Sequence, residues 1–205
     1  MNYFNPLEYD KFYHIYNHAN GFENLFVDNR SYAGFLSRLN YYSESVIDIY
    51  SYNLLKNHFH LLVKTKPKAD TIAYSELWAK EMRRPFKLLN AGKQLSDCFN
   101  SYTKNLNKVY SRTGSLFNHR YRRIEITGEN KLLNMVGYIH TNAQHHGLVK
   151  DFKDWKYSSY HEAIDCGRTF INRESLFELF AGKENFVKFH KDYAASIFDG
   201  GLWLE

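Results

Sequence analysis

Two histidines separated by a single residue, His58 and His60, lie in the run "NHFHLLVK" from 57 to 64. The apolar residues around them predict a β-strand, in which residues two apart point to the same face of the sheet. The two imidazoles would then lie side by side, with Phe59 on the opposite face. Such a pair supplies half of a divalent-metal site, and the simpler alternative is two polar side chains on a solvated face.

A second pair of residues with chemical potential, Tyr138 and Asn142, lies four residues apart in "GYIHTNAQHHG", which has a helical pattern. That spacing puts both side chains on one face of a helix. The amide oxygen of Asn142 suits Mg²⁺ or Mn²⁺ beside imidazoles, and the phenol of Tyr138 could attack a phosphate that a metal polarises. The simpler alternative is a packing tyrosine, because the chain has 17 of them. Gly137, just before the tyrosine, would let DNA or a neighbouring element approach closely.

Positive charge is unevenly placed along a chain whose net charge is +5. No acidic residue lies between Asp97 and Glu125, and aromatic residues are interleaved with the cations there. Cations attract phosphates and aromatic rings stack on unpaired bases, so the segment predicts nucleic-acid contact, the alternative being a solvated basic helix and strand. The cations are Lys104, Lys108, Arg112, Arg120, Arg122 and Arg123.

The periodicity of apolar residues predicts the elements that would position these groups. Strands are expected at 11–19, 46–55, 56–65 and 116–127, with a tight turn near Lys56 and Asn57. Helices are expected at 29–45, capped by Asn29 or Ser31, and at 70–86, 93–112 and 128–147, the last ending at Gly147. The order indicates an α+β fold, a ferredoxin-like antiparallel sheet with helices on one face. His14 and His18 on the first strand would support the histidine pair if that strand lies beside it, and otherwise are ordinary strand residues.

The chain divides into two parts by its residue pattern. Residues 9–150 carry all of these elements and are predicted to form one domain, while 151–205 form a C-terminal extension with two short helices between 172 and 195. No run approaches the roughly 18 apolar residues of a membrane span, and the first residues lack the apolar core of a signal peptide. Cys98 and Cys166 lack metal-type spacing. Together these features predict a cytoplasmic protein with reduced thiols and no membrane partner.

The motifs "NHFHLLVK", "GSLFNHRYRR" and "YIHTNAQHHGLV…DWKYSSY", in this order, resemble the REP-associated tyrosine transposases. These are a branch of the single-tyrosine HUH transposases typified by the insertion-sequence 200/605 group. The similarity runs from about Tyr13 to Tyr160, roughly three quarters of the chain. The chain departs from the family pattern "YIxxNPVRAG", since 143–146 read "AQHH" where the family has "PVRA". The lost proline and arginine put DNA affinity or specificity in doubt.

The resemblance implies a metal-dependent endonuclease and strand-transferase for single-stranded DNA with hairpins, such as repeated palindromes. It implies that His58, His60 and Asn142 bind Mg²⁺ or Mn²⁺, and that Tyr138 forms a 5′-phosphotyrosine bond. Arg120, Arg122 and Arg123 would contact phosphates at the foot of a hairpin, which would place the protein at the nucleoid when it is bound to DNA. Relatives include homodimers and monomers, so the resemblance leaves that choice open.

Two other functions fit the same residues. One is a non-catalytic nucleic-acid-binding regulator with the same fold, and the other is a metal-dependent nuclease that activates water without a covalent intermediate. Loss of the Tyr138 hydroxyl separates the transposase from the water-activating nuclease.

Overall fold

Four strands form one antiparallel sheet in the order β2-β3-β1-β4, seen in a computed structural model that describes residues 6–198. The strands are β1 (Phe12–His18), β2 (Ile47–Leu54), β3 (His58–Thr65) and β4 (Arg122–Glu125). The central pair, β1 and β3, stays in register over all of β1. The Leu55 N–H donates to the His58 carbonyl, which confirms the predicted tight turn between β2 and β3.

One face of the sheet is covered by α1 (Asn29–Ser43) and α3 (Ala91–Val109), while α2 (Lys68–Glu81) lies between β3 and α3 in the chain. Phe59 points to this face, where its ring lies 5.2 Å from Phe35 of α1 and 5.1 Å from Phe99 of α3. The β-α-β-β-α-β order and the sheet order are those of a ferredoxin-like core. The predicted α+β class is therefore confirmed.

The opposite face is covered by α4 (Glu129–His145), which contacts β2 and β3. The expectation that all helices lie on one face is correct for α1 and α3 but wrong for α4. Nearly every residue of β2 and β3 is buried, whichever face it points to. Both faces of the central sheet therefore need a cover, which α1 and α3 alone do not provide.

Three of the differences from the predicted boundaries have a clear physical reason. The strand expected at 116–127 is shortened to β4, because Leu116 and Asn118 bond irregularly to the backbone around the end of β1. Asp28, rather than Asn29 or Ser31, caps α1, and Ser31 completes its capping box. The second helix ends at Glu81, four residues ahead of Pro85, because Arg83 takes a left-handed conformation with a φ of 50° and the Arg84 N–H donates to the Ala79 carbonyl.

The C-terminal extension contains a 3₁₀ turn (Phe152–Asp154), α5 (Ser159–Ile164), α6 (Arg173–Leu179) and α7 (Lys183–Phe198). It is partly helical as predicted, although α7 is a helix of 16 residues rather than a short one. It packs on the sheet through α5 and α6, which contact β2, and on α4 through α7. The boundary at 150 stays a prediction, and residues 199–205 of the extension lie outside the described residues. Within 6–198, no helix has both the length and the apolar character to cross a membrane.

Candidate functional site

The antiparallel pairing of β1 with β3 places the histidine pair at the end of the central strands. His58 lies opposite His18 and His60 lies opposite Tyr16. The rings of His58 and His60 are 5.2 Å apart, and the two residues are only 6% and 3% exposed. The pair therefore does not lie on a solvated face, because α4 covers it.

Helix α4 brings Tyr138 and Asn142 to the same place. The ring of Tyr138 meets the ring of His60 edge-on at 5.4 Å, and that of His14 at 6.2 Å. Asn142 is fully buried and lies close enough to His58 to favour its protonated form. The structure thus brings together the four residues that the sequence singled out on a strand and a helix 78 positions apart, counted from His60 to Tyr138.

Four side-chain atoms of this cluster are buried and form no hydrogen bond within the described part of the chain. They are Nε2 of His58, Nε2 of His60, and both Oδ1 and Nδ2 of Asn142. A buried polar atom without a partner costs about 1–3 kcal/mol, so such atoms usually have a ligand or a structural reason. Two imidazole nitrogens and an amide oxygen are a donor set that fits a divalent cation. The residues therefore fit the metal that the resemblance implies.

Outer hydrogen bonds orient both histidines. His58 Nδ1 lies 2.8 Å from Asn57 Oδ1, and because an amide oxygen only accepts, Nδ1 carries the proton and Nε2 keeps its lone pair. His60 Nδ1 lies 2.9 Å from His14 Nε2. If His60 is to present its own Nε2 lone pair, its Nδ1–H donates to His14. Such partners fix the tautomer and direction of metal-binding histidines.

The sequence predicted Asn57 only as a turn residue, and its contact with His58 was not expected. The sequence left open whether His14 supports the histidine pair or is an ordinary strand residue. The structure places it in contact with His60, so it supports the pair. That contact depends on strand register, which the sequence alone does not fix.

Burial keeps the imidazoles neutral. It lowers the pKa of His14 and of His58 to about 3 and that of His60 well below its ordinary value. For His58, the nearby His18 and His146 lower the pKa further, while Asn142 opposes the shift. Neutral imidazoles are the form that binds metals. Between residues 6 and 198, no three His, Cys, Asp or Glu side chains are grouped to hold a metal, so the other histidines do not enlarge the pair into a three-ligand site of that kind.

The predicted cations do not form one cluster. Arg122 and Arg123 are successive on β4 and point to opposite faces of the sheet. Arg122 lies over the Tyr16 ring at 6.0 Å, on the face of the histidines, whereas Arg123 donates to the Tyr121 hydroxyl on the face of α3.

Arg120 and Arg123 line a groove of about 740 Å³ between the start of α3 and the segment 115–123. Lys104 and Lys108 lie on the exposed side of α3. Arg112 forms an ion pair with Glu23 and a hydrogen bond with Asn107. The groove thus gathers two of the six cations beside polar side chains, and Arg112 is engaged within the protein.

Comparison with known proteins finds a curated relative and solved structures that match the chain. No protein-family model matches the chain. It is 28% identical over 111 residues to a Haemophilus influenzae protein named "Putative REP-associated tyrosine transposase", a match that covers 54% of this chain and 57% of that relative. A solved structure of a REP-associated tyrosine transposase bound to a REP hairpin matches with a TM-score of 0.54 and 16% identity, over 78% of this chain and 82% of the other. The resemblance predicted from the sequence is confirmed, and the second match shows a shared fold.

Proposed function

We propose that this chain is a transposase-like enzyme that cuts and rejoins single-stranded DNA at hairpins through Tyr138. The observation that carries the proposal is the contact of the Tyr138 ring with His60. Beside it lie buried Nε2 atoms of His58 and His60 and the amide atoms of Asn142, which form no hydrogen bond within residues 6–198. Phosphodiester chemistry explains a nucleophile and a possible metal-binding set in one buried site better than side-chain packing alone does. The names of the two matching proteins support the same class.

In the proposed reaction, the Tyr138 oxygen attacks the phosphorus of a phosphodiester. A bond from the tyrosine oxygen to phosphorus forms, the bond from phosphorus to the 3′ oxygen breaks, and the products are a 5′-phosphotyrosine and a free 3′-OH. The phenol loses one proton and the leaving oxygen gains one. Because the new ester keeps the energy of the broken one, a second 3′-OH can attack it, reseal the strand and restore Tyr138 without ATP.

His58, His60 and Asn142 would hold the Mg²⁺ or Mn²⁺ ion. The ion would draw negative charge from the phosphate oxygens, which offsets the weakness of a phenol as a nucleophile. Asn57 and His14 would hold the two imidazoles in the tautomers that leave Nε2 available.

The proposed partner is DNA that carries a hairpin, as in the solved structure of the matching transposase. Arg120 and Arg123 would contact backbone phosphates along the groove beside α3, and Arg122 would do so on the face of the active site. Lys104 and Lys108 would add attraction from the exposed side of α3. Contacts of this kind position the nucleic acid and carry little sequence information.

The test mixes the purified protein with labelled hairpin oligonucleotides from the DNA that flanks its own gene, with Mg²⁺ or Mn²⁺ present. A denaturing gel is expected to show a covalent protein–DNA adduct that disappears with EDTA and in Tyr138→Phe. Tyr102→Phe is the matched control, since it removes the hydroxyl of a buried tyrosine on the other face of the sheet. Tight binding without an adduct would favour the non-catalytic regulator, and cleaved DNA without an adduct would favour the water-activating nuclease.

A further inference from the structure

Helix α7 of the C-terminal extension packs against α4 at Gly137, the residue before Tyr138. A Cβ atom at this position would lie 2.9 Å from Cε1 of Phe189 and 2.9 Å from Cγ and Cδ2 of Tyr193. Carbon atoms that are not bonded have their optimal separation at about 3.5–4.0 Å, so a Cβ atom here would force these two rings, or the helices that carry them, to move. The glycine that the sequence analysis linked to the approach of DNA or a neighbouring element therefore receives α7.

A buried hydrogen-bond chain joins the same two helices one turn further along. His190 Nδ1 lies 2.7 Å from the Phe186 carbonyl, His140 Nδ1 lies 2.8 Å from His190 Nε2, and Ser159 Oγ lies 2.8 Å from His140 Nε2. A carbonyl only accepts, so His190 donates from Nδ1 and accepts at Nε2. The chain then runs one way, from Ser159 through His140 and His190 to Phe186, and every ring nitrogen has a partner.

This chain ties α4 to three other elements. Ser159 begins α5 and accepts from the Tyr52 N–H of β2 at 2.8 Å, while His190 belongs to α7. Both histidines and Ser159 are fully buried. In such surroundings hydrogen bonds are strong and an unmade one is costly, so the chain resists rotation or sliding of α4.

The positions on α4 show what this restraint would achieve. At about 100° per residue, Asn142 lies about 40° from Tyr138 around the helix, whereas His140 lies about 200° away. Tyr138 and Asn142 therefore face the histidines of the sheet, and His140 faces the extension. Contacts on the His140 side of α4 therefore set the direction of Tyr138 and Asn142 on its opposite side.

We infer that the C-terminal extension positions the nucleophile, because α7 and α5 hold α4 through Gly137, His140 and His190 so that Tyr138 and Asn142 meet the histidine pair. These are positioning residues and not catalytic ones, since none of them faces the pair. The inference rests on the proposed function, and it assigns to α5 and α7 a role in setting the rate of strand cleavage rather than the affinity for DNA. A misplacement of about 1 Å at a reacting group can lower a rate about 100-fold.

The experiment compares His190→Leu, which removes the acceptor for His140, with His190→Gln, whose amide oxygen can replace it. Hairpin affinity is measured in EDTA, and the rate constant of adduct formation is measured in a single turnover with Mn²⁺. We expect His190→Leu to form the adduct at least about tenfold more slowly with unchanged affinity, and His190→Gln to recover most of the rate. Gly137→Ala is expected to resemble His190→Leu, and if it does not fold, the His190 pair still decides.

Leu176→Ala is the control for a general loss of stability. Leu176 is fully buried in the extension, on α6, which packs against β2. This variant is expected to melt at a lower temperature and to form the adduct at the wild-type rate. An equal slowing in Leu176→Ala, or a wild-type rate in both His190→Leu and Gly137→Ala, would overturn the inference.

A second readout does not need activity. The rings of His14 and His60 pack nearly perpendicular to the Tyr138 ring, so their imidazole proton NMR signals report its position. We expect these signals to move in His190→Leu and to stay in place in Leu176→Ala, and unmoved signals in His190→Leu would count against the inference. If the wild-type protein forms no adduct, the proposed function fails, while the NMR signals still decide whether the extension positions Tyr138.

Discussion

Acid should destabilise this protein, and His190 allows the effect of one buried imidazole to be measured. Burial lowers the pKa of His190 from 6.5 to about 4, although its hydrogen bond to the Phe186 carbonyl acts in the opposite direction. Between pH 6.5 and 4 the unfolded chain therefore binds a proton at this site that the folded chain does not. The stability that His190 contributes is complete above pH 6.5 and is lost as the pH falls towards 4.

The size of the effect follows from the two pKa values. Lowering the pH from 7.5 to 5.5 costs about 1.3 kcal/mol of the free energy of unfolding for one group with these values. His14 and His58, with pKa values of about 3, and His60 and His140, with pKa values well below the ordinary one, act in the same direction. The wild-type protein should therefore lose several times this amount, a large part of the roughly 5–15 kcal/mol that stabilises a typical domain.

Urea unfolding at pH 7.5 and at pH 5.5 measures the single-residue effect. His190→Gln removes the titrating group, so the stability gap between wild type and variant should narrow by about 1.3 kcal/mol at the lower pH. His119→Gln, a replacement of the same kind at an exposed position, controls for the change of side chain. A gap that stays the same at both pH values would show that His190 titrates alike in the folded and unfolded chain, and the reasoning would be wrong.

Three further perturbations test the core, the metal set and the groove. Phe59→Ala should lower the free energy of unfolding in urea by about 3–5 kcal/mol, because the ring is fully buried between α1 and α3, and a loss below about 1 kcal/mol would contradict that packing. Asn57→Ala should weaken Mn²⁺ binding about 10- to 100-fold, because His58 loses the partner that fixes its tautomer. Calorimetry measures the affinity, and an unchanged value would refute this role of Asn57. Arg120→Gln should weaken hairpin binding and reduce the slope of log affinity against log salt by about 1. Arg112→Gln should leave that slope unchanged, because Arg112 is paired with Glu23. Equal slopes in both variants would reject the groove as the DNA contact.

Local periodicity placed each candidate pair on one face, and the resemblance to a known family gave the pairs their expected chemistry. A strand repeats every two residues and a helix about every 3.6, so the spacing of His58 and His60, and of Tyr138 and Asn142, already placed each pair on one face. The same periodicity gave the strand and helix order, and with it the α+β class that the structure confirms. These features depend on neighbours within a few residues, which is why one sequence sufficed.

Boundaries were less well predicted where distant parts of the chain compete for the backbone. Residues 116–121 have the composition of a strand, yet Leu116 and Asn118 bond irregularly near the end of β1 and Tyr121 packs against Phe99. The cap of α1 is Asp28 because its side chain accepts the Ser31 N–H, and composition alone does not decide between Asp28, Asn29 and Ser31.

The sequence by itself therefore determined which residues share a face, and the tertiary structure decided which faces meet. Strand register placed His14 beside His60, and the alternation of β4 sent Arg122 and Arg123 to opposite sides of the sheet. Helix α4 covers the second face of the sheet, which carries the histidines, and α7 packs behind α4 at Gly137. Each of these contacts joins residues far apart in the chain, and it forms only because burying both faces of the sheet is favourable for the molecule as a whole.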